Sequence, residues 1–218
     1  MILLDDSLVE ESTTTLTSLP HQFNQRWTAW SQIGTAWLDI RRGHDGGADR
    51  IMCARQTLFR IGTRVYHSLS AAMAATGLLR DGRHAEADAL LTEGLTLVSE
   101  TGECWCEAEL HRLRGEVRLT QAAQQRRATR KWETLVDDAE ACLRRALEIA
   151  RPQGAKWWEL RTAVHLARLL RDRDRAAEAR ELLRSAYDGF DEGVDLPDLR
   201  AAQELLKSLQ SAPHARTC

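Results

Sequence analysis

The chain has 218 residues, 43% of them apolar and 28% charged, with a formal net charge of −2. These totals allow one large domain or two small ones, each with a real core. The near balance of charge argues against a dedicated nucleic-acid binder or a polybasic membrane binder and leaves only local patches.

The opening stretch MILLDDSLVEE has no basic leader, and its apolar run is too short for a signal peptide or a membrane span. Five cysteines, at 53, 104, 106, 142 and 218, form an odd set without a CxxC pair. That usage fits a reducing, cytoplasmic compartment. Only four prolines interrupt a composition rich in Ala, Leu, Arg and Glu, the strong helix formers.

In chain order, 1–19 reads as an extension whose residues 3–18 form at most a weak helix, because Thr13–Thr15 are β-branched. A repeat domain is expected over 20–210. Its turns are marked by Gly43 with Gly46 and Gly47, Gly62, Gly82, Gly102, Pro152 with Gly154, Asp172 to Asp174, and Gly193 with Pro197. Between them apolar residues recur every three or four positions, as on amphipathic helices. Helix 21–42 pairs with 46–61, carrying Trp27, Trp30, Gly34 and Trp37 on one stripe. Helix 63–81 pairs with 83–100, 103–120 with 131–151, and 155–172 with 175–190. The segment TQAAQQRRATRKW at 120–132 either lengthens its flanking helices or makes a solvated loop. A helix over 197–210 follows VDLP, with proline in a first turn where no amide is needed, and serves as a C-terminal cap. Residues 211–218 are a tail.

The hairpins share a frame. GRHAEADALLTEGL (82–95) aligns with DRAAEARELLRSAY (174–187), and GECWCEAELHRLRGE (102–116) with GAKWWELRTAVHLAR (154–168). The equivalent small residues are Gly47, Ala87, Ala139 and Ala179, spaced by 40, 52 and 40 positions. Trp105 and Trp157 are also 52 apart, as are Gly115 and Ala167. Small residues let helices approach, and large ones a turn later fill the next groove. No single hairpin buries its own stripe, so each must stack on a neighbour. The expectation is an all-α solenoid of about four hairpins with a cap.

This small–large frame resembles the tetratricopeptide repeat, in a loose form nearer 40 residues than 34, which implies a right-handed solenoid. GECWCEAELHRLRGEVRL, AEACLRRALEIARPQGAKWWELRTAVHLARLLRD and RAAEARELLRSAYDGFDEGVDLPDLRAAQELLKSL resemble the C-terminal repeat region of large bacterial signalling ATPases. In that family the region is often joined to a nucleotide cyclase or a helix-turn-helix regulator. The likeness covers about 65–210 and is weaker over 20–62. No GxxxxGK[ST] loop, cyclase motif or DNA-reading unit is present, so the resemblance implies only a sensing or docking arm.

Catalytic, cofactor and metal sites are not expected. Cys104 and Cys106 would point about 200° apart on a helix, which suits no single ion with His111. His67, His111 and His165 have acids nearby, among them Glu107, Glu109 and Glu116, but i,i+4 pairing on a wet face explains these without chemistry. The basic run Arg126, Arg127, Arg130 and Lys131 beside Trp132 reads as a solvated insertion rather than a nucleic-acid patch.

The seven tryptophans, against two tyrosines and three phenylalanines, carry more information. Most should pack between helices. Trp157 and Trp158 cannot face the same way, so one should be partly exposed or line a groove. A concave wall built from the first helix of each hairpin would offer Trp105, Glu109, Arg112 and Glu116 from the third, and Trp157, Trp158, Arg161 and Arg168 from the fourth. Arginine beside tryptophan is a common anchor for a peptide. Three functions follow: a non-catalytic protein- or peptide-binding scaffold in a bacterial signalling or transcription-regulatory system, a small-molecule sensor with a Trp-lined pocket, and a homo-oligomerisation module such as a homodimer.

Overall fold

The same turn recurs along the chain. Gly82 lies at φ +75° and Asp174 at φ +60°, both in the left-handed region. The Gly82 N–H donates to the Leu79 carbonyl and the Arg83 N–H reaches back to Leu78; the Asp174 and Arg175 N–H groups do the same to Arg171 and Leu170. These are the two bonds that close a helix C-terminus around a left-handed residue. Glycine adopts that conformation freely and aspartate tolerates it. The same pair of bonds ends the helices before Gly43, Gly62 and Gly154.

The computed structural model describes residues 7, 10–11, 13–15, 25–191 and 196–211. Among these no strand occurs. The elements are α1 (Gln25–Arg41), α2 (Gly47–Arg60), α3 (His67–Arg80), α4 (His84–Thr101), a 3-10 turn at Cys104–Cys106, α5 (Glu107–Ala123), α6 (Arg130–Ala150), α7 (Lys156–Asp172), α8 (Ala176–Tyr187) and α9 (Pro197–Ser211). From residue 25 on, a helix lies in each span where one was expected. The insertion divides: α5 runs on to Ala123 and α6 begins at Arg130, leaving 124–129 as a loop. Most of the weak helix expected at 3–18 and all but the first residue of the tail expected at 211–218 lie outside the described residues.

The chain divides into two compact units, 1–113 and 114–218, with the boundary inside α5. In the first unit α1 packs on α2, α2 on α3 and α3 on α4, and α1 also touches α3. Ile33, Ile51, Leu58, Leu78, Leu91 and Leu110 are fully buried. Gly47 opens α2 against α1: a Cβ there would lie 2.5 Å from Ile40 Cγ1 and 2.8 Å from the Ala36 carbonyl oxygen. In the second unit α6 packs on α7, α7 on α8, and α9 covers both α7 and α8. Gly115 repeats the close approach, since a Cβ there would meet Leu143 Cγ at 2.8 Å. Ala87, Ala139 and Ala179 are buried like Gly47, each on the second helix of its pair.

An arginine clasp recurs as well. Arg83, just before α4, donates to Glu86 at 2.8 Å and to Asp49 on α2 at 2.7 Å. Its counterpart Arg175, just before α8, donates to Glu178 and to Glu140 on α6, both at 2.9 Å. The clasp ties the second helix of one pair to the second helix of the pair before it, within each unit. Surface pairs of this kind are screened by water and contribute little each.

Candidate functional site

The copied sentence of the sequence has a copied backbone. The Cys104 N–H donates to the Gly102 carbonyl and the Lys156 N–H to the Gly154 carbonyl, both at 2.9 Å. This turn sets Trp105 in the 3-10 turn ahead of α5 and Trp157 in the first turn of α7. The two rings then diverge. Trp157 is half-buried and packs on Phe190 with centroids 4.6 Å apart. Trp105 is 36% exposed.

Trp105 ends a row of aromatic rings on the first unit. Trp30 of α1 meets Tyr66 edge to face at 5.8 Å, and Tyr66 meets Trp105 edge to face at 5.5 Å. Such contacts stabilise by about 0.5–1.5 kcal/mol beyond the area they bury. Tyr66 is 48% exposed and sits at φ +61°, the residue just before α3. A bulky aromatic in the left-handed region is strained. Glu103 holds it there: its Oε1 accepts the Tyr66 N–H at 2.7 Å and the Trp105 indole N–H at 3.0 Å. One carboxylate thus fixes two members of the row.

Trp27, Phe59 and Val65 of the same unit are exposed as well. Among the described residues, every exposed large apolar side chain except Leu196 belongs to this unit. The same segments carry Arg26, Arg60 and Arg64. Arg26 is anchored by a 3.1 Å bond from Nε to Thr63 Oγ1. A shallow cleft of ≈ 340 Å³ between Gln25, Thr28, Gln32, Thr57 and Arg60 opens beside the start of α1.

Beneath the row, His67 stacks on Phe59 at 3.8 Å and its Nε2 donates to the Thr63 carbonyl. Burial lowers the His67 pKa from its ordinary 6.5; the nearby Arg55 adds to that, and the Thr63 bond opposes it. Arg55 is itself buried and pairs with Glu93 at 3.0 Å, and burial lowers its pKa too.

The other expected contact residues fall elsewhere. Glu109 and Arg112 do not line an exposed stripe: they are 3% and 2% exposed. Arg112 grips Glu109 through two bonds, at 2.8 and 3.0 Å, one turn apart on α5. Mutual neutralisation is what lets both leave water. In the second unit Glu116 and Trp158 are half-buried, and Arg161 lies 3.9 Å from Asp198. Arg168 is exposed and lines a cleft of ≈ 410 Å³ between the end of α5, the 124–129 loop, the start of α6 and the second half of α7.

Tyr66 and Trp132 are the residues that periodicity alone passes over. A left-handed tyrosine leaves no local pattern, since its partner Glu103 is 37 positions away. Trp132 was visible only as a neighbour of the basic run, and it walls the second cleft.

Cys104 is exposed and Cys106 buried, so the two thiols face different surroundings. No described helix is long and apolar enough to cross a membrane. Set against models of protein families, curated proteins and solved structures, the chain matches none of them.

Proposed function

We propose that the chain is a non-catalytic binding module that docks an acidic, aromatic-containing peptide segment of a partner protein. The observation that carries this is Tyr66. Its backbone is strained, yet the ring is held out between two tryptophans rather than buried. Strain retained at a surface aromatic is a mark of a recognition position. Tyrosine and tryptophan provide large contact area at little entropic cost and are enriched at interface centres. The surrounding charge fits an acidic guest. Arg26 and Arg64 stand close in sequence to Trp30 and Tyr66, and Arg60 next to Phe59, while the carboxylate of Glu103 is already engaged by Tyr66 and Trp105.

The scaffold is a right-handed solenoid of tetratricopeptide-like hairpins. Support comes from the recurring left-handed turns, the repeated arginine clasp and the four buried small residues in one frame. The resemblance over 65–210 to the repeat arm of bacterial signalling ATPases supports a sensing or docking role in such a system.

The test is peptide selection on the purified chain. Display libraries should yield peptides rich in Asp or Glu with at least one aromatic. Their affinity should fall tenfold or more on Tyr66→Ala, a change of about 1.4 kcal/mol. Selected peptides that bind Tyr66→Ala as well as the parent chain would remove the row as the docking surface.

A further inference from the structure

The second unit contains a built cleft that peptide docking on the first unit leaves unused. Its floor is apolar: Leu119 and Ala122 from α5, Val136 from α6 and Leu169 from α7. Trp132 forms one wall. Its ring is positioned because Thr129 caps α6 by accepting the Trp132 N–H at 3.2 Å, and the side chain leans on the core of this unit. A cleft of ≈ 410 Å³ falls within the range of small-ligand sites, about 300–1,000 Å³.

The polar edge is cationic. Arg127, Arg168 and Arg173 line the cleft against one carboxylate, Asp172. Asp172 is engaged by Arg171 at 3.0 Å, and Arg173 by Asp137 at 2.7 Å and Glu140 at 3.1 Å. That leaves Arg127 and Arg168 without an ion-pair partner among the described residues. The loop bearing Arg127 turns through Ala128 at φ +60°, a strained conformation for alanine. Other arginines on this unit, such as Arg144 and Arg175, are tied into networks. Two uncommitted guanidinium groups beside an apolar floor and an indole wall are suited to one kind of guest.

We propose that this cleft binds a small organic anion: a carboxylate or phosphate monoester on a flat apolar body. The anionic group is held by Arg127 and Arg168 through charge-assisted hydrogen bonds, and the body lies against Trp132 and Leu169. The site stands on the second unit alone and does not depend on the aromatic row of the first.

Calorimetric titration of the full chain with 2-naphthoate, 2-naphthyl phosphate and the neutral 2-naphthamide tests the site. At least one anion should bind saturably, and the amide at least tenfold more weakly. Arg127→Gln and Arg168→Gln should each weaken the anion tenfold or more, and Trp132→Ala should weaken the anion and the amide together. Arg64→Gln and Tyr66→Ala, on the first unit, should leave the titration unchanged. Tighter binding of naphthoate assigns a carboxylate guest, and of naphthyl phosphate a phosphate guest. No saturable binding of either anion at about 10 mM, or equal binding of the amide, overturns the proposal. So does binding of an acidic octapeptide where both naphthyl anions fail.

Discussion

Tyr66 sets two forces against each other. Its left-handed backbone costs about 1–2 kcal/mol, while its two edge-to-face contacts each return about 0.5–1.5 kcal/mol. Glycine at 66 would lose the rings but also the strain; alanine would lose the rings and keep the strain. In urea titrations, therefore, Tyr66→Gly should be more stable than Tyr66→Ala by about 1 kcal/mol. A more stable alanine variant would mean the positive φ is not imposed. The buried Glu109–Arg112 pair makes a second test. Arg112→Met takes two charge-assisted bonds from a buried carboxylate and should cost about 3–5 kcal/mol, while the joint change Glu109→Leu with Arg112→Met should recover most of that. Equal losses in the single and double variants would show that the pair is not what keeps Glu109 buried. His67 gives a pH signature. Because burial lowers its pKa below 6.5 in the folded state, the unfolded chain binds the proton more readily. Its contribution is complete above pH 6.5 and is lost as the pH falls through the lower folded value. The urea midpoint should drop between pH 7.5 and 5.5, and His67→Phe should shrink that drop; an undiminished drop would place the sensitivity elsewhere.

Among the elements, turns and clasps decide which helices meet. Asp174 holds a left-handed φ where the equivalent Gly82 does so at no cost. Asp174→Gly should therefore stabilise by about 0.5–1 kcal/mol, measured as a rise in urea midpoint at constant slope. Glu140 accepts from both Arg144 and Arg175; burial alone would raise its pKa, yet those bonds outweigh burial and hold it below 4.5. Its stabilisation is complete above that value and fades on acidification, a slope that Glu140→Gln should remove. The helices were legible in the sequence because their causes are local: apolar spacing for the faces and glycine for the left-handed turns. The row was not, because Tyr66 owes its conformation to Glu103 across a whole helical hairpin. Glu109 and Arg112 misled for a similar reason. Charged side chains at i and i+3 read as surface, and only the packing around α5 shows that they neutralise each other in the interior. Arg127 and Trp132 read as a solvated insertion because the cleft they line is completed by α7, some 35 positions further on.

At the scale of the molecule, the helices gather into two compact regions. Gly47 is hemmed in by Ile40 and Ala36 of the first region, and Glu140 by Arg144, Arg173 and Arg175 of the second. With no shared partner, Gly47→Ala and Glu140→Gln should add in the double variant to within about 0.3–0.5 kcal/mol. The first substitution alone should cost about 1–3 kcal/mol, because its methyl meets backbone as well as a side chain.

Recognition by the row is tested most directly through the seven tryptophan indole N–H signals in a proton–nitrogen correlation spectrum. A selected acidic aromatic peptide is titrated into the chain, with Trp105→Phe and Trp30→Phe variants assigning the two signals. Docking on the row predicts that those two indole signals move first and furthest, and that Tyr66→Ala abolishes the movement at the same peptide concentration. Movement confined to Trp132, Trp157 and Trp158, or unchanged by Tyr66→Ala, would contradict it.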